Sequence, residues 1–265
     1  MTGASSGIGS ELARLALGAG EAVAALARNT EPLAEFDGCP LLRRIDTDVR
    51  DTASVQAAVD GAVARFGRID VVANNAGYGL FGAVEEATDA QVRSIFDTNV
   101  FGVLNVLSAT LPVLRAQHSG HILQGSSLYG QSAHPGVGLL AATKYAVEGL
   151  SEALAAETAP LGIKVTLVQP GPTATAFLDN LDLAATEDDY DQTVREVQKS
   201  ISALPPHAFS SATRIAAGIR DAVSSAEPPL RLALGTSGGA DMRAALLARL
   251  ADLDSWAAVT AAVDA

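Results

Sequence analysis

Thr2-Gly3-Ala4-Ser5-Ser6-Gly7-Ile8-Gly9 stands at the very start of the chain. Glycines at this spacing let the backbone turn tightly and approach a pyrophosphate closely. A helix that begins here aims its N–H groups and the positive end of its dipole at the phosphates. Alone, the pattern is also that of a plain glycine-rich turn, so its meaning depends on the rest of the chain. Short apolar runs recur at Ala22–Ala27, Leu41–Ile45, Ile69–Ala73, His121–Gln124, Ile163–Val168 and Leu230–Leu234. Each has the length of a strand buried on both faces. Longer amphipathic stretches lie between them, including Ala53–Phe66, Asp89–Arg115 and Leu139–Thr158. This alternation predicts an α/β fold, a doubly wound parallel sheet whose ligands sit beyond the carboxyl ends of its strands.

The 265 residues fit one domain, and 48% hydrophobic residues argue against disorder. No uninterrupted apolar run reaches the ~20 residues that span a bilayer. The longest candidate, Val100–Leu107, contains Gly102 and Asn105. No export signal opens the chain, and Cys39, the single cysteine, supports neither a disulfide framework nor a cysteine metal site. A cytoplasmic protein with no metal is therefore expected. Thirty acidic against 18 basic residues give a net charge of −12, which repels nucleic acid, and no membrane partner is indicated.

Further motifs fall where a parallel sheet gathers ligand residues. Asn74-Asn75-Ala76-Gly77 ends the run Ile69–Ala73, and Ser126-Ser127 comes after His121–Gln124. Lys144 lies in Ala141-Ala142-Thr143-Lys144-Tyr145-Ala146-Val147-Glu148-Gly149, and Pro170-Gly171-Pro172-Thr173-Ala174-Thr175 comes after Ile163–Val168. Each alone reads as a turn or an ordinary helix; together and in this order they do not.

Taken together, these motifs resemble those of a classical short-chain dehydrogenase/reductase, from Thr2 to about Thr175 and more weakly beyond. The resemblance implies a seven-stranded Rossmann-like sheet. It implies nucleotide binding by Gly3, Ser5, Ser6, Gly7, Ile8 and Gly9, with Asp48 and Val49 at the adenine. Asn74, Asn75, Ala76 and Gly77 would line the ribose side, and Pro170, Gly171 and Thr175 would hold the nicotinamide amide. Ser127 would polarise a substrate oxygen, Lys144 would bind the nicotinamide ribose, and Asn99 would support a water and the lysine. It also implies a homodimer or homotetramer packed through Asp89–Arg115 and Leu139–Thr158. Only Met1 and Thr2 precede the glycine turn, where a strand belongs. The first strand is thus expected to be missing or truncated, with several residues upstream of this reading frame.

Charge argues for the cofactor. An acid ending the strand after the glycine loop binds a ribose 2′-hydroxyl, whereas an arginine accommodates a 2′-phosphate. Ala22–Ala27 ends without an acid and Arg28 comes next, which favours NADP(H) over NAD(H).

One departure matters. The family's active-site tyrosine lies four residues before the lysine, where this chain has Leu140. Residues four apart share a helix face, so Leu140 neighbours Lys144 but transfers no proton. A positioned general acid is typically worth about 10²–10⁴ in rate. Tyr145 points about 140° away around the helix. Tyr129, Tyr78, His134 or a water held by Asn99 and Lys144 remain as proton sources.

The polar, acidic stretch 178–203 reads as a substrate lid or as a solvated surface segment, and 235–265 as a helical tail. The tail's helix is expected from about Ala240 to Leu250, with Trp256 as a packing anchor. Three functions stay open. The first is an NADP(H)-dependent oxidoreductase acting on a carbonyl or alcohol of a small, fairly hydrophobic substrate, with non-standard proton transfer. The second is a non-redox enzyme on the same fold (a cyclase, isomerase or lyase). The third is a catalytically silent nucleotide-binding protein.

Overall fold

The computed structural model describes residues 1–264. Six strands form its centre: β1 (Val23–Ala27), β2 (Leu42–Asp46), β3 (Val71–Asn74), β4 (Gly120–Gly125), β5 (Ile163–Pro170) and β6 (Arg231–Leu234). All pair in parallel, in the groups β2-β1 and β3-β4-β5-β6. Between the groups lie Met1 and Thr2. Thr2 bridges Leu26 of β1 and donates its N–H to Ala73 O of β3 at 2.9 Å, and Leu26 N–H reaches Met1 O at 2.8 Å. The sheet thus has six strands and a single-residue bridge rather than the seven strands implied by resemblance. Two residues before the glycine turn leave no length for a seventh.

Each apolar run forms its strand within a residue or two of the sequence reading, and alternation along the strands serves two cores. Val72, Ile122 and Leu167 face α2 (Thr52–Phe66), α4 (Gly102–Gln117) and α5 (Gly138–Thr158). Their neighbours Ala73, Leu123 and Val168 face α1 (Gly7–Gly18) and α7 (Ala212–Ser224). Helix α2 starts where Asp51 accepts the N–H groups of Ala53 and Ser54 at 2.9 and 3.2 Å, and ends at Gly67 in the left-handed region.

Asp89–Arg115, read as one amphipathic stretch, lies in one helical run of 29 residues, Asp89–Gln117, with a wide turn at its middle. Helix α3 (Asp89–Phe96) passes through a single π-turn, Asp97–Phe101, into α4. Among the described residues it is the one helix long and apolar enough to cross a membrane, by length and composition only. Gly102 and Asn105 do not break it. A Cβ on Gly102 would lie 2.7 Å from Val49 Cγ2, and Asn105 Nδ2 donates to Val49 O at 2.8 Å. Val103, Val106, Leu107 and Leu114 are buried against the sheet, as in a core helix.

Past β5 the chain holds α6 (Glu196–Ser202), α7, β6, α8 (Thr236–Ser255) and α9 (Ala257–Ala262). The tail helix is longer than its leucine pattern suggests. Trp256 is 66% exposed at the break between α8 and α9, so it anchors nothing within the chain. The tail's last residue, 265, lies outside the described residues.

Candidate active site

The carboxyl ends of β3, β4 and β5, the glycine turn and residues 172–209 enclose a cavity of about 530 Å³. Its floor is the nucleotide side. Gly3 and Gly7 have φ of +61° and +54°, which favours glycine. A Cβ on Gly9 would collide with Gly3 O and lie 2.6 Å from Asn75 Nδ2, so the turn closes only around a bare backbone. Helix α1 begins there with no side chain capping its N-terminus and no acid in its first turn. Its N–H groups therefore stay available to an anion. Thr2 Oγ1 accepts the N–H groups of Asn75 and Ala76 at 3.0 and 3.1 Å, which pins the Asn-Asn-Ala-Gly turn to the glycine turn. A cradle that excludes a Cβ, ahead of an uncapped helix, fits a dinucleotide pyrophosphate.

Gly3, Ser6, Gly7, Ile8, Asn75, Ala76, Gly77, Ser127, Tyr129, Leu140, Lys144, Pro170, Gly171 and Thr175 all line this cavity, as do Asn74 and Tyr78. Ser5, Gly9, Arg28, Asp48, Val49, Asn99 and His134 do not. Gly9 lies beneath the turn, and the Val49 side chain is buried in the core beside α4. Asp48 and exposed Arg28 stand off the far end of β1 and β2. The Asp48 carboxyl is held below its ordinary pKa first by its hydrogen bonds with Arg50, and also by the Arg28 charge. Exposed His134 instead packs edge-on against the Tyr129 ring, centroids 5.6 Å apart.

Asn99 sits in the π-turn, buried behind the cavity wall. A one-residue helical bulge re-aims a side chain in this way. Its Nδ2 donates to Tyr78 O at 2.9 Å and to Thr143 Oγ1 at 3.2 Å, and its Oδ1 accepts Tyr78 N–H at 3.1 Å. Asn99 thus clamps the Gly77–Tyr78 backbone and makes no direct hydrogen bond to Lys144. Both donors of its amide are engaged.

Ser127 caps a 3₁₀ turn, Leu128–Gly130, and its Oγ accepts Tyr129 N–H at 3.2 Å. That bond leaves the hydroxyl proton free to point at a ligand. Lys144 Nζ donates to Gly125 O at 2.7 Å. Burial lowers its pKa to about 8, because the cavity desolvates the ammonium and offers no carboxylate. Among the described residues, Lys144 is the only charged side chain lining the cavity. Leu140 is buried one turn before it, in contact with a cluster that includes Leu80, Ile95, Tyr78 and Tyr129. Burial, and secondarily the Asp241 charge, raises the Tyr129 pKa, so this phenol stays protonated.

Leu178, Leu181, Leu183 and Ile201, from the stretch read as a lid, line the cavity, whereas the sequence reading missed Leu80, Phe81, Phe177, Leu204 and Phe209, which face it from segments whose ends no periodicity marks. It also missed the buried Glu148, hidden inside the lysine motif itself.

A parallel sheet wound on both faces, with a glycine turn, a serine and a lysine around one cavity, defines a Rossmann-like nucleotide-binding fold. Residues 1–186 match the family described as short chain dehydrogenase. The chain is 37% identical to a 3-ketodihydrosphingosine reductase of Bacteroides thetaiotaomicron over 89% of this chain and 86% of that one. It is 46% identical over 130 residues to two uncharacterized oxidoreductases of Schizosaccharomyces pombe; that match covers 49% of this chain and 55% of theirs. Among solved structures, a short-chain dehydrogenase from Streptomyces avermitilis superposes with a TM-score of 0.91 at 35% identity, over 98% of this chain and 96% of that one. Burkholderia relatives, each 25% identical, were solved with a nicotinamide cofactor. One from B. phymatum holds NAD (TM-score 0.79, 92% and 90% covered), and one from B. cenocepacia holds NADP (0.75, 96% and 94%). The chain belongs to the short-chain dehydrogenase/reductase family of oxidoreductases.

Proposed function

We propose that this protein is an NADP(H)-dependent oxidoreductase that interconverts a carbonyl and an alcohol on a small, neutral, apolar substrate. The observation that carries the reading is one cavity holding the glycine turn, Ser127 and Lys144, with a mostly apolar and otherwise uncharged wall. A cavity of this kind takes a ligand whose recognition is mostly burial, with a few polar groups fixing its orientation. Residues 178–203 act in this reading as the substrate lid. Arg28, with Arg50 close by, favours a 2′-phosphate over a bare ribose hydroxyl. A cytoplasmic homodimer or homotetramer, packed through Asp89–Arg115 and Leu139–Thr158, completes the proposal.

A bound nicotinamide would supply or accept hydride. The protein's part is to place the substrate and move the proton. Ser127 Oγ–H donates to the substrate oxygen and stabilises charge as it develops there. Lys144 holds the ribose and keeps a positive charge beside the reacting centre. Leu140 supplies apolar contact where the family places its proton-transferring phenol. The proton reaches the oxygen from the Tyr129 hydroxyl or from a water on Lys144, and Tyr129 is favoured because it lines the cavity and packs against the cluster that holds Leu140.

Leu140 also supports a second reading, in which the fold catalyses a non-redox step and the nucleotide is structural. NADPH oxidation against aldehydes, ketones and quinones, for wild type and Leu140→Tyr side by side, separates the two. Wild-type turnover is expected. Turnover by Leu140→Tyr alone, with NADPH bound by both, would overturn the redox reading and leave the non-redox one.

A further inference from the structure

Helix α5 reaches the end of β4 twice, on successive turns. Lys144 Nζ holds Gly125 O, and four residues later Glu148 accepts the Ser126 hydroxyl at 2.5 Å. Glu148 is only 4% exposed, and it does not stop at one partner. Its Oε1 also accepts Gln169 Nε2 at 2.8 Å, and its Oε2 accepts Gln131 Nε2 at 2.8 Å and Arg231 Nε at 3.0 Å. A carboxylate taken out of water is costly unless paired and fully hydrogen-bonded. Here four donors from four separate segments meet that need. They are the end of β4, the loop after the Ser127 turn, the end of β5 and the start of β6.

Three of these donors flank the cavity. Ser126 and Gln131 bracket Ser127 and its 3₁₀ turn. Gln169 immediately precedes Pro170-Gly171 at the end of the neighbouring strand β5, whose Val168 O accepts Ser126 N–H at 2.9 Å. The arrangement is close enough to exclude one methyl group. A Cβ on Gly130 would collide with Ser126 Oγ and lie 2.8 Å from Glu148 Cγ. The backbone of Gly130 is not in the left-handed region, so the glycine here answers to space rather than to φ.

We propose that Glu148 is a positioning residue that locks the Ser127 loop (residues 126–131) to the Pro170-Gly171 turn (residues 169–172), so that the two walls of the site are set as one unit. Glu148 touches neither substrate nor cofactor. Removing it unties both segments together, although they belong to different strands and are far apart in sequence.

The test compares Glu148→Gln, Ser126→Ala and Gly130→Ala with wild type. Glutamine keeps the shape of Glu148 but turns an NH₂ toward groups that are themselves donors. Ser126→Ala removes one bond, and Gly130→Ala presses on the cluster without touching its charge. The last two keep the test available should Glu148→Gln not fold. The first readout is amide exchange in the nucleotide-free protein, far below the melting temperature. Exchange is expected to rise in both 126–131 and 169–172 in every folded variant; a rise in one segment alone, or in neither, overturns the coupling. The second readout is NADPH affinity by fluorescence titration, and it rests on the cofactor reading proposed above. The dissociation constant is expected to rise about tenfold, a loss of about 1.4 kcal/mol of binding. Affinity within about twofold of wild type, with melting temperature lowered, would make Glu148 a stabilising residue only and overturn its service to the site. If wild type binds no NADPH, the cofactor reading falls and exchange alone decides the coupling.

Discussion

At the scale of single residues, the reading proposed above turns on Leu140, which carries no hydroxyl where the resemblance places a phenol. Its place was legible in the sequence because Ser127 and Lys144 fix the register on either side of it. Its surroundings were not, since they depend on the fold: Leu140 joins a buried cluster with Leu80 and Ile95, against which Tyr78 and Tyr129 pack. Asn99 shows the opposite limit. Its place on the helix was readable, yet its clamp on Tyr78 depends on a π-turn that no periodicity announces. Cofactor choice is also a residue-scale matter. Arg28→Glu places a carboxylate where a 2′-phosphate would sit, beside the Asp48–Arg50 pair at 2.6 Å. NADPH affinity in this variant should fall by well over tenfold while NADH affinity holds or improves, read by paired fluorescence titrations. Unchanged selectivity would refute the assignment of NADP(H).

At the scale of elements, the inner strands β1, β3, β4 and β5 were legible because most of their residues are buried, which writes them as apolar runs, whereas the edge strands β2, with Arg43 and Arg44, and β6 have no fully buried residue. Residues 178–203 were legible only as a change in composition. Their order comes from long-range contacts. Asp182–Leu183 pairs with Leu80–Phe81, and Gln91 Nε2 holds Asp182 at 2.9 Å. Buried Glu86 is the central fastening. It accepts the N–H groups of Glu187 at 2.8 Å and Ala83 at 2.6 Å and pairs with Arg195, while Tyr190 O–H donates to Glu85 at 2.5 Å. Arg195 above all, and then those backbone donors, lower the Glu86 pKa to about 2. A carboxylate whose folded pKa is depressed adds stability above its unfolded pKa, and loses it as pH falls through the folded value. The fastening should therefore persist at about pH 4 and fail only toward about pH 2. Glu86→Gln should raise amide exchange across 182–202 at neutral pH and raise KM more than it lowers kcat. Protection equal to wild type would show that the strand pairing alone holds the segment.

At the scale of the whole molecule, the chain divides into a covered sheet and an uncovered tail. Two cores cover β3–β6 and a third, with Val23, Ala25 and Leu33, covers β1 and β2, with Thr2 as the bridge that joins the halves. Beyond Met242 the tail packs little of itself away: Leu246, Leu250 and Leu253 are exposed at 44%, 56% and 61%. An alanine-leucine pattern reads as helix from sequence, but whether its leucines meet anything is set by where β6 delivers the chain, which no local pattern records. Phe101 and Tyr145, by contrast, are exposed on the helical run Asp89–Gln117 and on α5, the surfaces through which association is proposed.

The single tryptophan makes that distinction visible in light. Trp256 lies in the tail, outside the nucleotide cavity, with most of its indole in water. Its emission is thus a dye attached at one address. Across a concentration series in which the protein assembles through α4 and α5, the spectrum should keep the red maximum of a hydrated indole while sedimentation reports a larger particle. A blue shift that tracks the assembly would move the interface to the tail.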